Sequence, residues 1–297
     1  MKSKIKIDNT FAEAFNMKAS RILVTADNLK WAKHAAVSLT GFATSVIACG
    51  VEAGIECKLS KKTSPDGRDG YSILLFSMSR SALEKQLETR VGQCILTCPT
   101  TAVFSGMEGE DMIPLGKNLR YFGDGHQISK KIGQKRFWRI PVMDGEFLCE
   151  ESTGRISAIG GGNIIILAHD RASCLKASEI AIKSIENQPN VITPFPGGVV
   201  RSGSKVGSKY KSLIASTNDE FCPTLRNVVK SKLSKNVGCV MEIVINGLTR
   251  SDIEIAMRTT IKAISRTKIS AKIVAISAGN YGGKLGQHKF HLRKIFK

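Results

Sequence analysis

The sequence predicts an α+β protein in which one β-α-β-β-α-β pattern is used twice. Three observations carry that expectation. Short apolar runs alternate with stretches whose apolar residues recur at helical spacing, the alternation repeats across the middle of the chain, and segments rich in Gly, Ser, Lys and Asn separate the pieces.

In the first half, residues 21–26 (RILVTA) read as a short strand and residues 28–39 as a helix with Trp31, Ala35 and Leu39 on one face. Residues 45–49 supply a second strand, 71–78 (YSILLFSM) a third, 81–91 a helix opened by a serine cap, and 94–97 a last strand. The second half offers strand, helix, strand, helix and strand at 163–168, 172–185, 238–245, 250–264 and 273–277. The runs YSILLFSMSRSALEKQL and CVMEIVINGLTRSDIEIAM match in pattern, with Ser81 aligned on Ser251 as a cap, although their identity is slight. This is the pattern of a duplication: two ferredoxin-like lobes, residues 1–150 and 151–297, each a split β-α-β sandwich with an antiparallel sheet.

Composition agrees with a folded chain. The 297 residues can bury a core in each lobe without disulfide staples. With 42% apolar and 23% charged residues, and 27 glycines against 8 prolines, collagen-like, coiled-coil and broadly disordered classes are excluded. The best apolar run, 162–168, stops at His169 and Asp170, too short to span a bilayer. The N-terminal stretch 1–6 (MKSKIK) has the charges of a signal peptide without the apolar stretch that should follow, so a cytoplasmic protein is expected. The eight cysteines lack zinc-like spacing, Cys94 and Cys98 included, and read as buried free thiols in a reducing compartment. A net charge of +19 attracts polyanions without naming one.

Function is expected in the polar segments 106–129, 193–215 and 280–287. The glycine-rich stretch 279–286 resembles a phosphate loop only superficially, because Ala278 stands at the first-glycine position and Leu285 at that of the magnesium ligand. Four glycines in eight residues still bring backbone close to a ligand or to another part of the fold. In 203–209 (GSKVGSK) a repeated Gly-Ser-Lys unit suits carboxylates or phosphate, or is a solvated basic loop. Glu242 is the lone charge in its strand, on one face with Val240, Val244 and Asn246. Desolvation there would raise its pKa and fit it to pass protons near neutral pH; the alternative is a solvent-facing Glu on a half-exposed strand. His288 and His291 could share a metal, but no third ligand is evident, and no covalent nucleophile has a signature. The basic stretch 130–139 could contact nucleic acid, yet only 6% of residues are aromatic and no strand carries paired stacking aromatics.

Several segments taken together are more specific. They are DNTFAEAF (8–15), TGF (40–42), EAGI (52–55), RVGQC (90–94), FGDG (122–125), PFPGG (194–198), SKVGSK (204–209), ASTND (215–219), EIVINGL (242–248) and ISAGNYGGKLG (276–286). In one collinear order, from about Asp8 to His291, they resemble the formylmethanofuran:tetrahydromethanopterin formyltransferases. The wording VIACG (46–50), PVMDGEFLCE (141–150) and VRSG (200–203) is similar to the bacterial branch, in which the protein is one component of a formyltransferase/hydrolase complex that takes formaldehyde-derived carbon to formate.

The resemblance implies reversible formyl transfer between N5 of tetrahydromethanopterin and the amine of methanofuran, with both carriers as substrates and no tightly bound cofactor or metal. It implies two ferredoxin-like lobes and a homo-oligomer, dimer or tetramer, with its site at a subunit interface beside hydrolase partners. It assigns acid/base work to Glu242, contacts to the carriers' acidic groups to Lys205, Lys209 and Lys284, and shaping of the site to Gln93, Asn218 and Asn280. The +19 charge departs from the acidic methanogen enzymes. The alternatives are a protein whose main task is docking within that complex, or a nucleic-acid-binding ferredoxin-like protein.

Overall fold

The computed structural model describes residues 5–297; residues 1–4 of the basic N-terminal stretch lie outside the described residues. In the first half, the long strand β1 (Phe11–Thr25) is followed by helix α1 (Leu29–Thr40), strands β2 (Glu52–Leu59) and β3 (Gly70–Ser77), helix α2 (Arg80–Arg90) and strand β4 (Ala102–Ser105). They pair antiparallel in the order β2-β3-β1-β4.

The second half repeats this plan with β5 (Ser152–Ala168), α3 (Arg171–Ile185), β6 (Cys239–Gly247), α4 (Arg250–Ser265) and β7 (Ile273–Ser277). Its second strand is reduced to Val191–Ile192, and the spatial order is again second, third, first, fourth. Apolar faces fill two main cores. One lies under α1 and α2, the other under α3 and α4, where Ile164, Ile166, Ile243 and Ile245 meet Ala177, Ile253 and Met257.

Local chemistry explains most boundaries. The Asn28 carboxamide oxygen accepts from the Lys30 and Trp31 amides and starts α1, whose buried face is Ala32, Ala35, Ala36 and Leu39; Trp31 is 38% exposed rather than in the core. The caps of α2 and α4 are Ser79 and Thr249, each two residues before the serine the pattern selects, and Thr249 forms a full capping box with Asp252.

Two expected strands are helical. Ser45 caps a single turn, Val46–Cys49, that ends on left-handed Gly50, and the strand follows it. Val91–Ile95 continues α2 as a π-helical turn, so the last strand comes later, at β4. The strand expected at 21–26 is only the end of β1, whose earlier part (FAEAFNMKAS) interrupts its two phenylalanines with Ala, Glu, Asn and Lys, residues with weak strand preference.

The sheets are not purely antiparallel and not separate. Phe15–Ser20 of β1 pairs with Arg155–Gly160 of β5, so both halves join in one 14-stranded sheet that includes parallel pairs at Lys6–Ile7 and at β4. Beyond β4, the strands Ile128–Ile132, Lys135–Val142 and Gly145–Glu150 extend the sheet. Three cations of this basic hairpin are met by carboxylates: Lys135 by Glu150, Arg136 by Glu151 and Arg139 by Glu146. All eight cysteines are free thiols; Cys49, Cys149 and Cys174 are buried and the other five half-buried, against the expectation of uniform burial. Among the described residues no helix is long and apolar enough to cross a membrane.

A polar staple ties the halves together. Arg21 of β1 forms two 2.7 Å bonds to the buried Glu56 of β2 and a third to Asn190 of the second half, whose amide donates back to Glu56 at 2.7 Å. Burial opposes ionisation of Glu56, but Arg21, the Ser72 hydroxyl and the Asn190 amide outweigh it and hold the carboxyl below its ordinary range. Removing one member of a buried pair strands the other, so Glu56→Gln is expected to cost about 3–5 kcal/mol in denaturant unfolding at neutral pH. The folded-state pKa is depressed, so this stabilisation is present above the ordinary carboxylate range and is lost on acidification. The gap between wild type and variant should therefore narrow as pH falls. A second expectation concerns Gly162, where an added Cβ would lie 2.4 Å from Cγ2 of the stiff Ile253 side chain on α4. Gly162→Ala should cost about 1–3 kcal/mol by overpacking, read as a lower Tm.

Candidate active site

Where β5 leaves the first sheet for the second, Gly160, Gly161 and Gly162 form a bulge. No side chain fits there: a Cβ on Gly160 would lie 2.0 Å from the Met17 sulfur, and Gly161 has φ +94°. The bulge exposes backbone that two asparagines satisfy. Gly161 N–H donates to Asn246 Oδ1 at 2.9 Å, and Asn163 takes the Gly161 carbonyl at 3.1 Å while accepting from Gly279 N–H at 2.6 Å. Asn246 Nδ2 in turn donates to Glu52 at 2.5 Å.

Above this floor lies a cavity of about 360 Å³. Its walls come from β1 (Glu13, Phe15, Met17), the turn at Ser45–Ala48, the segment around Phe195, Val200 and Ser202–Ser204, β6 (Glu242, Val244) and Tyr281. Three carboxylates face one space in three environments. Glu13 is buried but accepts from four backbone amides, and although burial opposes its charge the N–H groups of Gly286, Gly283, Leu285 and Tyr281 hold its pKa below the ordinary value. Burial pushes Glu52 up, against the Asn246 amide and the Val46 N–H. Glu242 keeps partial access to the cavity, has no side-chain hydrogen bond among the described residues, and is pushed up to about 7 by burial alone. The strand alternation holds: Val244 shares its cavity and Asn246 lies beneath, while Met241, Ile243 and Ile245 face the helices.

Two further clefts meet this cavity. One, of about 550 Å³, is lined by three lysines, Lys205, Lys230 and Lys232, against two carboxylates, Asp219 and Glu220, with Asn218, Asn280 and Tyr281. The other, of about 280 Å³, runs from Glu242 past Val200–Gly203 to Asn218 and Cys222. Lys205 already holds Asp219 at 2.5 Å, and Lys232 holds Glu220 at 2.6 Å. Of the residues the sequence nominates, Glu242 lies in the central cavity, and Lys205, Asn218 and Asn280 line the basic cleft beside it. Lys209 and Lys284 are exposed on neighbouring loops and line none of these spaces. Gln93 is exposed on the π-helical turn of the first half and is not brought to Glu242 within one chain.

Sequence reasoning missed Glu13, Glu52 and Tyr281. The available signal was a single carboxylate in FAEAF and in the apolar opening of β2, the same signal that singles out Glu242. The two histidines diverge: His288 Nε2 lies 2.7 Å from Asn16 Oδ1, and the His291 ring packs on Phe11.

Comparison with known proteins gives this geometry its family. Residues 1–142 match the family model described as formylmethanofuran-tetrahydromethanopterin formyltransferase, and residues 145–295 match the model of its proximal lobe. The chain is 63% identical to the formylmethanofuran--tetrahydromethanopterin formyltransferase of Methylococcus capsulatus, over 98% of each chain. It is 50% identical to a component of the formyltransferase/hydrolase complex of Methylorubrum extorquens, over 99% of this chain and 96% of that one. Among solved structures it superposes on a chain of the Methylorubrum extorquens formyltransferase/hydrolase complex in complex with methylofuran, with a TM-score of 0.95 at 50% identity, over 99% of this chain and 97% of that one. It also superposes on the Methanosarcina barkeri enzyme, with a TM-score of 0.92 at 44% identity over 98% of each chain. Two matching models that together span nearly the whole chain, with relatives 63% and 50% identical over almost all of it, make it a member of the formylmethanofuran–tetrahydromethanopterin formyltransferase family.

Proposed function

We propose that this formyltransferase passes its formyl group between N5 of tetrahydromethanopterin and the primary amine of methanofuran in the cavity at Glu242. The observation that carries the assignment is a carboxyl titrating at about 7 where two clefts meet. In the direction toward methanofuran, the amine nitrogen attacks the formyl carbon and forms the new C–N bond of a tetrahedral intermediate. Ionised Glu242 takes the proton that the attacking nitrogen loses. The resulting acid returns it to N5 as the C–N5 bond breaks, so charge and protons balance and no covalent enzyme intermediate is needed. A group with a pKa near ambient pH can serve both steps and the reverse reaction. The rest of the catalysis is positioning of the two carriers within the cavity.

Lys205 and Asn218, with Asn280, are assigned to the acidic and polar groups of the carriers, as the basic cleft supports. Lys209 and Lys284, exposed on loops next to it, add positive charge at its rim, and Gln93 is assigned to a site completed by a second copy of the chain. A dimer or tetramer is supported by an apolar groove of about 730 Å³ on the first half, where Phe122 and Met143 stand exposed. The relative of known complex supports hydrolase subunits as further partners, and the resemblance to the bacterial branch implies a role in oxidising formaldehyde-derived carbon to formate. The repeated antiparallel strand order supports two ferredoxin-like lobes, divided near residue 150. A cytoplasmic location suits eight free thiols.

Two measurements test the site. Glu242→Gln should slow formyl transfer by about 10²- to 10⁴-fold and abolish an inflection of kcat near pH 7; a variant with the wild-type rate refutes the assignment. Lys205→Met should raise KM for an acidic carrier about 10-fold or more with kcat little changed, and the effect should shrink with added salt. An unchanged KM would remove Lys205 from the binding surface.

A further inference from the structure

Apart from Gly279, whose N–H donates to Asn163 Oδ1 at 2.6 Å, the loop over residues 279–286 is held chiefly by one internal anion. Gly282, Lys284 and Leu285 are exposed, and the side chain of Asn280 reaches only Thr10, at 3.3 Å, and the amide of Gly282, at 2.9 Å. From beneath, Glu13 of β1, 1% exposed, accepts through Oε1 from Tyr281 N–H at 2.6 Å and Gly283 N–H at 2.7 Å. Through Oε2 it accepts from Leu285 N–H at 3.0 Å and Gly286 N–H at 2.9 Å. The Glu13 amide also donates to the Gly279 carbonyl at 3.1 Å. Gly282 and Gly283, at φ +90° and +75°, turn these donors inward, and a Cβ on Gly286 would lie 2.7 Å from the Ala14 backbone. The amides that a phosphate loop would offer to a nucleotide are spent on a side chain of the same protein.

The loop carries Tyr281 into the catalytic cavity. Its phenol donates to the Ser204 carbonyl at 3.4 Å, tying the glycine-rich loop to the opposite wall, and it lines the same cavity as Glu242. Burial and the nearby Glu242 both push the phenol's pKa up, so the two groups sense each other.

We propose that Glu13 is a positioning residue for formyl transfer: its carboxylate gathers the glycine-rich loop and thereby holds the Tyr281 phenol beside Glu242. A glutamine at this place keeps one acceptor oxygen and turns an N–H₂ toward two N–H groups, so the loop loses half its anchor while the strand beneath is unchanged. The inference rests on the reading that transfer takes place at Glu242.

The test is formyl transfer from formyl-tetrahydromethanopterin to methanofuran by the full-length chain, with kcat and KM followed across neutral pH. Glu13→Gln, Glu13→Asp, Tyr281→Phe and the double variant Glu13→Gln/Tyr281→Phe are compared, with Glu242→Gln measured separately. Glu13→Gln is expected to lower kcat about 10- to 100-fold, the scale of a misplaced catalytic geometry, and Glu13→Asp, which keeps the charge, to recover part of it. Because Glu13 acts through Tyr281, the double variant should be no slower than the slower single. Wild-type kcat in Glu13→Gln, or effects that multiply in the double variant, would overturn the proposal. Should Glu13→Gln not fold, Glu13→Asp carries the same test, since its loss of kcat must vanish in the Tyr281→Phe background. A full rate in Glu242→Gln would instead overturn the site reading, so the two failures are told apart.

Discussion

The structure depends on the pairing of two long strands. β1 and β5 cross between the halves, each belonging to one sheet at one end and to the joint at the other, and the six residues Phe15–Ser20 lie against Arg155–Gly160. A strand that serves two sheets must bend where it passes between them. In β5 the bend is the triple-glycine bulge, where the ladder to β6 shifts register. Everything at the site follows from this bend: freed backbone groups recruit Asn163 and Asn246, and Asn246 recruits Glu52. The space left by the missing side chains of Gly160 and Gly161 becomes the cavity floor.

One residue type then does three jobs in that cavity because the donor count differs. Glu13 meets four N–H groups and is held as an anion; Glu52 meets a carboxamide and one amide; Glu242 meets none among the described residues and is left to desolvation alone. The first is a structural counter-ion for backbone. Glu52 and Glu242 both line the cavity and are both raised by burial, and Glu242, without a side-chain partner among the described residues, is pushed up to about 7.

Much of this was legible in the sequence. Glu242 stood out because a lone carboxylate in an apolar strand cannot be indifferent to its face, and two-residue alternation alone assigns it the face of Val244 and Asn246. The helices were legible from 3.6-residue spacing, two of them with caps displaced by two residues. What the sequence hid was β1 before Arg21, because a strand buried on both faces by close packing uses alanines, which carry little strand signal. It hid the helical turns at Val46–Cys49 and Val91–Ile95, where short apolar runs are compatible with either periodicity. It also hid Glu13, because the partner of its carboxylate lies 270 residues away in sequence at Gly283.

The two halves share a plan, but in the second a cavity opens on the third strand at Glu242, and the reason is the second strand. The offset that carries the Ser79 cap onto Thr249 also carries Ser72 onto Glu242. In the first half β2 runs the length of β3 and closes over that position, and the Ser72 hydroxyl is bonded to Glu56 at 2.7 Å. In the second half the equivalent strand keeps two residues, Val191–Ile192, at the far end of β6. The chain then leaves the sheet and pairs with it again through a single bridge between Val200 and Glu242. A shortened edge strand leaves the face of β6 open, and the long segment that replaces it supplies Phe195, Ser202–Ser204 and Lys205 as walls instead of a ladder. The same position is thus buried and hydrogen-bonded in one half and open to a cavity in the other, because a full-length edge strand flanks the first and a polar loop lines the second.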